Sequence, residues 1–236
     1  MRPVFITRLS VFLPNDPVSN EEMEGILGRV SDRTSKAQMA VLINNGIKTR
    51  YYAFRNGKST HSSTQLAVTA INSLFDEQLP VDQLDLLSLS TSSPEQLLPS
   101  HASMVHGLMG KKNVEIVTST GACCTGIQAL KYGFMAVGTD NAGVAACCKS
   151  EKVSTWMRAS RFQTEAENLE CLQAEPIIAF EKDFLRFMLC DGAGAALLQS
   201  KPNETGISLK IEWIDIRSYA NELETSMYAG AVKNAD

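Results

Sequence analysis

Apolar positions along the chain fall into alternating strand-like and helix-like stretches. Val4 to Leu13 has a strand pattern closed by Pro14-Asn15-Asp16-Pro17. Ser19-Asn20-Glu21-Glu22 then supplies an N-cap and early acids for a short helix. From Ser63 to Phe75, the spacing of Leu66, Ala67, Ala70, Ile71 and Leu74 predicts a helix with one face for a sheet. Leu84 to Ser90 reads as a buried strand running into Thr91-Ser92-Ser93-Pro94, with a helix starting near Pro99-Ser100. Val114 to Thr118 leads through Ser119-Thr120-Gly121-Ala122 into an apolar helix holding Gly126, Leu130, Phe134 and Val137 and ended by Gly138. Val144 to Cys148 is a third strand of small residues. The long stretch from Lys149 to Phe180, with helix-like acidic character over Glu165 to Leu172, has the length of a lid, an interface element or an insertion. Phe184 to Leu189 reads as another strand, and Asp191-Gly192-Ala193-Gly194 as a turn into the apolar run Ala195 to Leu198. Ile207 to Arg217 reads as a strand that repeats the opening order of apolar run and turn, too weakly to count as a repeat. Strands alternating with helices predict an α/β layer architecture.

With 236 residues, 44% of them hydrophobic, the chain can bury a substantial core. Its net charge of −4 comes without a basic run, so no footprint for nucleic acid is present. The apolar stretch at Val4 to Leu9 is too short and interrupted for a signal peptide or a membrane span, which predicts a cytoplasmic protein with no membrane partner. Four of the six cysteines form the adjacent pairs Cys123-Cys124 and Cys147-Cys148. Neighbouring residues rarely meet the geometry of a disulfide, and no Cys-x-x-Cys or nearby His provides a zinc site, so no metal is expected. The thiols are therefore either core or chemistry.

One of them is set for chemistry. Ser119-Thr120-Gly121-Ala122-Cys123-Cys124-Thr125-Gly126-Ile127 reads as strand, small-residue turn, cysteine, helix. A thiolate is favoured at the positive end of a helix, and amides there can hold a developing oxyanion, so a thioester can form and be kept. The competing reading makes Cys123 and Cys124 small buried hydrophobes, and the local pattern alone leaves the two about equal.

Cys123-Cys124-Thr125-Gly126 resembles the active-site stretch of the type III β-ketoacyl carrier-protein synthases of the thiolase-like family, with Cys124 at the nucleophile. Other landmarks follow in family order. Asn45-Gly46-Ile47-Lys48-Thr49-Arg50 resembles an early Thr-Gly-Ile-Arg segment, and Ser90-Thr91-Ser92-Ser93 through Leu98-Pro99-Ser100 resembles the loop and helix before the nucleophile strand. Asp191-Gly192-Ala193-Gly194-Ala195-Ala196 matches a Gly-Asp-Gly-Ala-Gly-Ala turn, with Cys190 replacing the first glycine.

The resemblance implies a thiolase-like α-β-α fold with a mixed sheet, residues 1–204 forming the nucleophile-bearing half and 205–236 the start of a second half that is largely absent. It implies acyl transfer from coenzyme A or an acyl-carrier protein to Cys124, then decarboxylative condensation with a malonyl-type thioester, with no further cofactor. The family's second step uses a His and an Asn from its C-terminal half. The histidines here, His61, His101 and His106, all precede Cys124 and match neither. His101 and His106 read as solvent-facing or capping residues on their helix. The chain is thus expected to be a truncated product, a piece, or one part of an enzyme completed by another chain or a homodimer; the alternative is a non-catalytic scaffold or dimer partner. The family's coenzyme A loop carries a Trp and an Arg, and Lys36 to Asn44 has neither, which shifts the expected donor toward a carrier protein. Leu98 matches a position reaching across a dimer interface, or equally a core leucine. Arg186 is expected to face outward or to pair with Asp191 or Glu151.

Overall fold

The computed structural model describes residues 1–29, 38–110, 113–121, 123–161 and 184–224. The chain divides into two compact units, Met1–Pro14 with Ser59–Lys152 and Asp191–Ile216, and Asn15–Lys58 with Val153–Cys190 and Arg217–Asp236.

In the first unit, β1 (Phe5–Phe12), β6 (Leu86–Thr91), β7 (Glu115–Thr120), β8 (Val144–Glu151), β9 (Gly192–Gln199) and β10 (Leu209–Lys210) form one mixed sheet in the order β10-β1-β9-β8-β6-β7. β6 runs parallel to β7 and β8, whereas β9 is antiparallel to both β8 and β1. Helix α4 (His101–Met109) connects β6 to β7, and α5 (Thr125–Gly138) connects β7 back across β6 to β8. These crossovers travel in opposite directions along the sheet, and their common right hand puts them on opposite faces. Accordingly α3 (Ser63–Asn72) and α4 cover one face with Leu66, Ile71 and Val105 against Leu87, Leu89, Ala146 and Cys148. On the other face Ala136 and Val137 of α5 meet Leu86, Ala145, Cys147 and Leu198. Strand alternation thus sends Cys147 and Cys148 into opposite cores. Burial pushes the Cys147 thiol up to about 12, against a backbone hydrogen bond at Gly133 that lowers it, and pushes Cys148 up further.

Local chemistry fixes the boundaries. α3 opens on a complete capping box: the Ser62 hydroxyl accepts the Gln65 amide, and the Gln65 side chain accepts the Ser62 amide. α4 opens on Ser100, whose hydroxyl accepts the Ser103 amide, and ends at Gly110 in the left-handed region with φ 62°. Asp85 ties the entry of β8, accepting the amides of Gly143 and Val144.

The second unit contains α1 (Met23–Leu27), α2 (Gln38–Asn45), α6 (Ser154–Met157) and the short strands β2 (Val18–Ser19), β3 (Thr49–Arg50) and β4 (Phe54–Arg55). Its core gathers Met23, Leu27, Val41, Tyr52, Val153, Met157, Leu185 and Phe187.

Several expectations need correction. Residues 184–188 are helical, so the apolar run expected to be a strand is a buried helical turn, an ambiguity that periodicity cannot resolve in so short a run. Gly192 to Gly194 belong to β9 and are not a turn. Of Ile207 to Arg217 only Leu209–Lys210 joins the sheet. Ser19 does not cap α1; the Glu22 carboxylate accepts the Ser19 amide, and no side chain caps the helix. The expected end of α5 at Gly138 does hold, and the chain then turns at Asp140 with φ 67°. Arg186 does not face outward: it is buried, and its Nε and Nη2 donate to the carbonyls of Met157 and Gly28. Leu98 is 83% exposed, which removes the core reading. The acidic stretch Glu165 to Leu172 lies outside the described residues.

Candidate active site

The C-terminal ends of β6, β7 and β8 converge on one edge of the first unit, the position where open α/β sheets present reactive groups. β7 ends at Thr120, and Gly121 follows with φ 134°, a conformation that side chains resist; a Cβ there would also stand 3.2 Å from Thr125 Cγ2. The tight turn delivers Cys124 to the N-cap position of α5, a helix of 14 residues. The Cys124 carbonyl accepts the amides of Ile127 and Gln128, at 3.1 and 3.2 Å, so the first-turn amides lie at the open end of the helical ladder. Both Cys123 and Cys124 are exposed thiols, so neither is a core hydrophobe.

The neighbouring strand end adds charge. Lys149 Nζ donates to Thr125 Oγ1 at 2.8 Å and pairs with Glu151 at 2.9 Å. A Cβ on Gly126 would lie 3.1 Å from Lys149 Cδ, so the lysine stem runs directly over the first turn of the helix. Glu151 in turn holds the loop after β6, accepting the Ser92 amide and the hydroxyls of Ser92 and Ser93 at 2.7–2.9 Å. A cation is thereby fixed where Cys124 meets its helix, next to a groove of about 230 Å³ lined by Leu9, Gly126, Leu130, Cys147 and Lys149. Sequence reasoning singled out Cys124 but missed Lys149 and Glu151. The signal was there: charges end the apolar run of β8 at the same edge as the Ser/Thr-rich loop.

The histidines are placed apart from this thiol in role. His101 is buried at the first position of α4, not solvent-facing, and its Nε2 shares a 2.9 Å hydrogen bond with Ser150, which in turn contacts Ser63 at 3.0 Å. Burial lowers its pKa, opposed in part by Glu95 and Glu151. His106 lies half-buried in the last turn of α4, and His61 stacks edge-on against Phe12. In the second unit the described part of the segment matched to a coenzyme A loop, residues 38–44, lies in α2, where Met39 and Ile43 line a cleft of about 620 Å³. Among the described residues no cluster of three or more His, Cys, Asp or Glu could hold a metal ion, and no helix is long and apolar enough to cross a membrane.

No family model matches the chain. Against curated proteins it is 26% identical over 231 residues to β-ketoacyl-[acyl-carrier-protein] synthase III 1 of Lactiplantibacillus plantarum, covering 97% of this chain and 60% of that protein. It is 24% identical over 218 residues to the synthase III of Chlorobaculum tepidum, covering 92% and 56%. Among solved structures, a tetronic acid condensing enzyme, AbyA1, superposes with a TM-score of 0.66 at 20% identity, over 85% of this chain and 56% of that one. The chain is thus similar in sequence to these type III synthases, and it shares the fold of the condensing enzyme AbyA1. The chain spans a little over half the length of these curated relatives.

Proposed function

We propose that this chain carries the acyl-accepting half of a condensing enzyme, with residues 1–204 as the nucleophile-bearing half and 205–236 as the start of the second, and with Cys124 as the nucleophile. The observation that carries the reading is the exposed Cys124 at the N-cap of α5, beside the Lys149 ammonium. Cys124 Sγ attacks the carbonyl carbon of an acyl thioester from an acyl-carrier protein or coenzyme A. The new C–S bond forms, the old one breaks, and the leaving thiolate takes a proton from solvent. Amides of the first helical turn receive the carbonyl oxygen as it becomes negative. A malonyl-type thioester then loses carbon dioxide, and its carbanion attacks the acyl-cysteine carbonyl; the new C–C bond forms, the bond to Cys124 Sγ breaks and the thiolate is returned, in fatty-acid or polyketide-like biosynthesis. Positioning groups for that second step are assigned to the second half of the fold, to a homodimer mate or to a complementing chain, and not to His101, which is hydrogen-bonded to Ser150. The setting is cytoplasmic.

Intact-mass measurement after incubation with acetyl-coenzyme A and with an acyl-carrier-protein thioester tests this. One acyl adduct is expected, lost in Cys124→Ala and kept in Cys123→Ala. No adduct from any donor, or one that survives Cys124→Ala, overturns the assignment and leaves the scaffold or dimer-partner role.

A further inference from the structure

Three elements around the candidate site are tied together beneath it by one buried hydrogen-bonded group. Ser63 opens α3, His101 opens α4, and Ser150 is the next-to-last residue of β8; none is more than 2% exposed. His101 Nε2 and Ser150 Oγ lie 2.9 Å apart, and Ser150 Oγ and Ser63 Oγ 3.0 Å apart. Ser150 stands between Lys149 and Glu151, which reach Thr125 and the Ser92-Ser93 loop. The residue after His101 adds a second tie. The Ala102 amide donates at 2.9 Å to Thr118 Oγ1 of β7, the strand that runs into the Cys124 turn. His101 thus stands off the reacting thiol yet is joined to both strands that frame it.

The tie suits a neutral imidazole. His101 Nδ1 is buried with no hydrogen-bond partner among the described residues. In an imidazolium both ring nitrogens are donors, so a second proton leaves a buried Nδ1–H without an acceptor, whichever tautomer takes it up. Position adds to this. His101 and Ser63 are the first residues of helices of 9 and 10 residues, and positive charge is disfavoured at a helix N-terminus. Two carboxylates favour the cation, Glu95 from the loop after β6 and Glu151 from β8, but burial outweighs them. Both are already engaged: Glu95 accepts the Thr64 amide and hydroxyl at 2.8 and 3.0 Å, and Glu151 holds Ser92, Ser93 and Lys149.

We propose that His101 is a positioning residue for Cys124 that is operated by its own protonation. Neutral, it keeps the end of β8 in place and with it Lys149 over the first turn of α5. Protonated from solvent, the ring leaves Ser150, the seat of Lys149 loosens, and Cys124 loses reactivity in acid. This regulation rests on the reading of Cys124 as the nucleophile, and His101 takes no part in the bond-making itself.

Alkylation of Cys124 by iodoacetamide tests this on the full chain without requiring acyl transfer. Rates are read by peptide mass spectrometry from about pH 4.5 to 8, wherever far-UV circular dichroism is constant, each relative to the same protein's rate near pH 7.5. The parent chain should fall roughly 2–5-fold further in acid than His101→Gln, whose amide can still bond Ser150 but does not titrate. Acylation by acetyl-coenzyme A should show the same gap; a gap in alkylation without any acyl adduct refutes acyl transfer and supports the regulation. In the parent chain, nuclear magnetic resonance should show the His101 ring proton and the Lys149 and Cys124 amides titrating with one midpoint. Coincident alkylation profiles overturn the proposal, as does a Cys124 amide that ignores the His101 titration, which needs no variant to fold.

Discussion

Gly133 is the point where α5 comes closest to its sheet, and filling it should destabilise the first unit. A Cβ added there would stand 2.4 Å from Cys147 Sγ, 3.1 Å from Leu198 Cδ1 and 3.7 Å from Ala145 Cβ, all buried strand atoms. Nonbonded heavy atoms settle near 3.5–4.0 Å, so relieving the sulfur contact requires a shift of roughly 1 Å in a close-packed layer. Overpacking of this kind costs about 1–3 kcal/mol, while replacing a mid-helix glycine by alanine returns about 1 kcal/mol. Gly133→Ala should therefore lose up to about 2 kcal/mol net, a fall in melting midpoint of up to roughly 8 °C by far-UV circular dichroism. Cys147→Ala removes the colliding sulfur. In that background the alanine at 133 should cost less than half as much, a coupling of about 1 kcal/mol. A Gly133→Ala protein that melts at or above the parent temperature, or strictly additive double-variant behaviour, refutes the packing argument.

Burial depresses the pKa of His101, so it stays neutral in the fold after the unfolded chain, with its ordinary value near 6.5, begins to take up protons. Stability from this residue is complete above about pH 6.5 and declines as pH falls through that value; urea titrations from pH 7.5 to 5 should show the slope, reduced in His101→Gln, and an identical slope in both proteins would disprove it. Lys149→Met removes the cation from Thr125 and the start of α5, and should slow acylation of Cys124 roughly 3–10-fold with little change in melting. Single-turnover mass spectrometry reads that rate, and an unchanged rate would remove Lys149 from the site.

The alternating architecture was legible because its strands are short apolar runs bounded by turn residues and its helices show starts such as Pro99-Ser100 or the helical spacing of Leu66, Ala67, Ala70, Ile71 and Leu74. Cys124 was legible from the small-residue turn before an apolar helix. Residues 184–188 were not, since a six-residue apolar run fits a buried turn of helix as well as a strand. Gly192 and Gly194 misled in the opposite way. Glycine usually punctuates, but here a Cβ on Gly192 would lie 3.1 Å from Leu13 Cδ2, so the strand needs a small residue where another chain segment passes closely. Lys149 and Glu151 escaped because their meaning depends on strand register: only the pairing of β8 beside β6 brings them to the Ser92-Ser93 loop and the first turn of α5.

The register of β1 also has a consequence for biogenesis. Phe5 pairs with Gln199 and Phe12 with Ala193, so β1 finds this antiparallel neighbour only when the whole segment between the two strands has been made. At about 5–20 residues per second, β1 waits roughly ten to forty seconds with its backbone edges unsatisfied. A holdase acting on nascent chains would find its client in this strand, and slowing translation between Phe12 and Gly192 should cost more soluble protein than slowing it after Gln199.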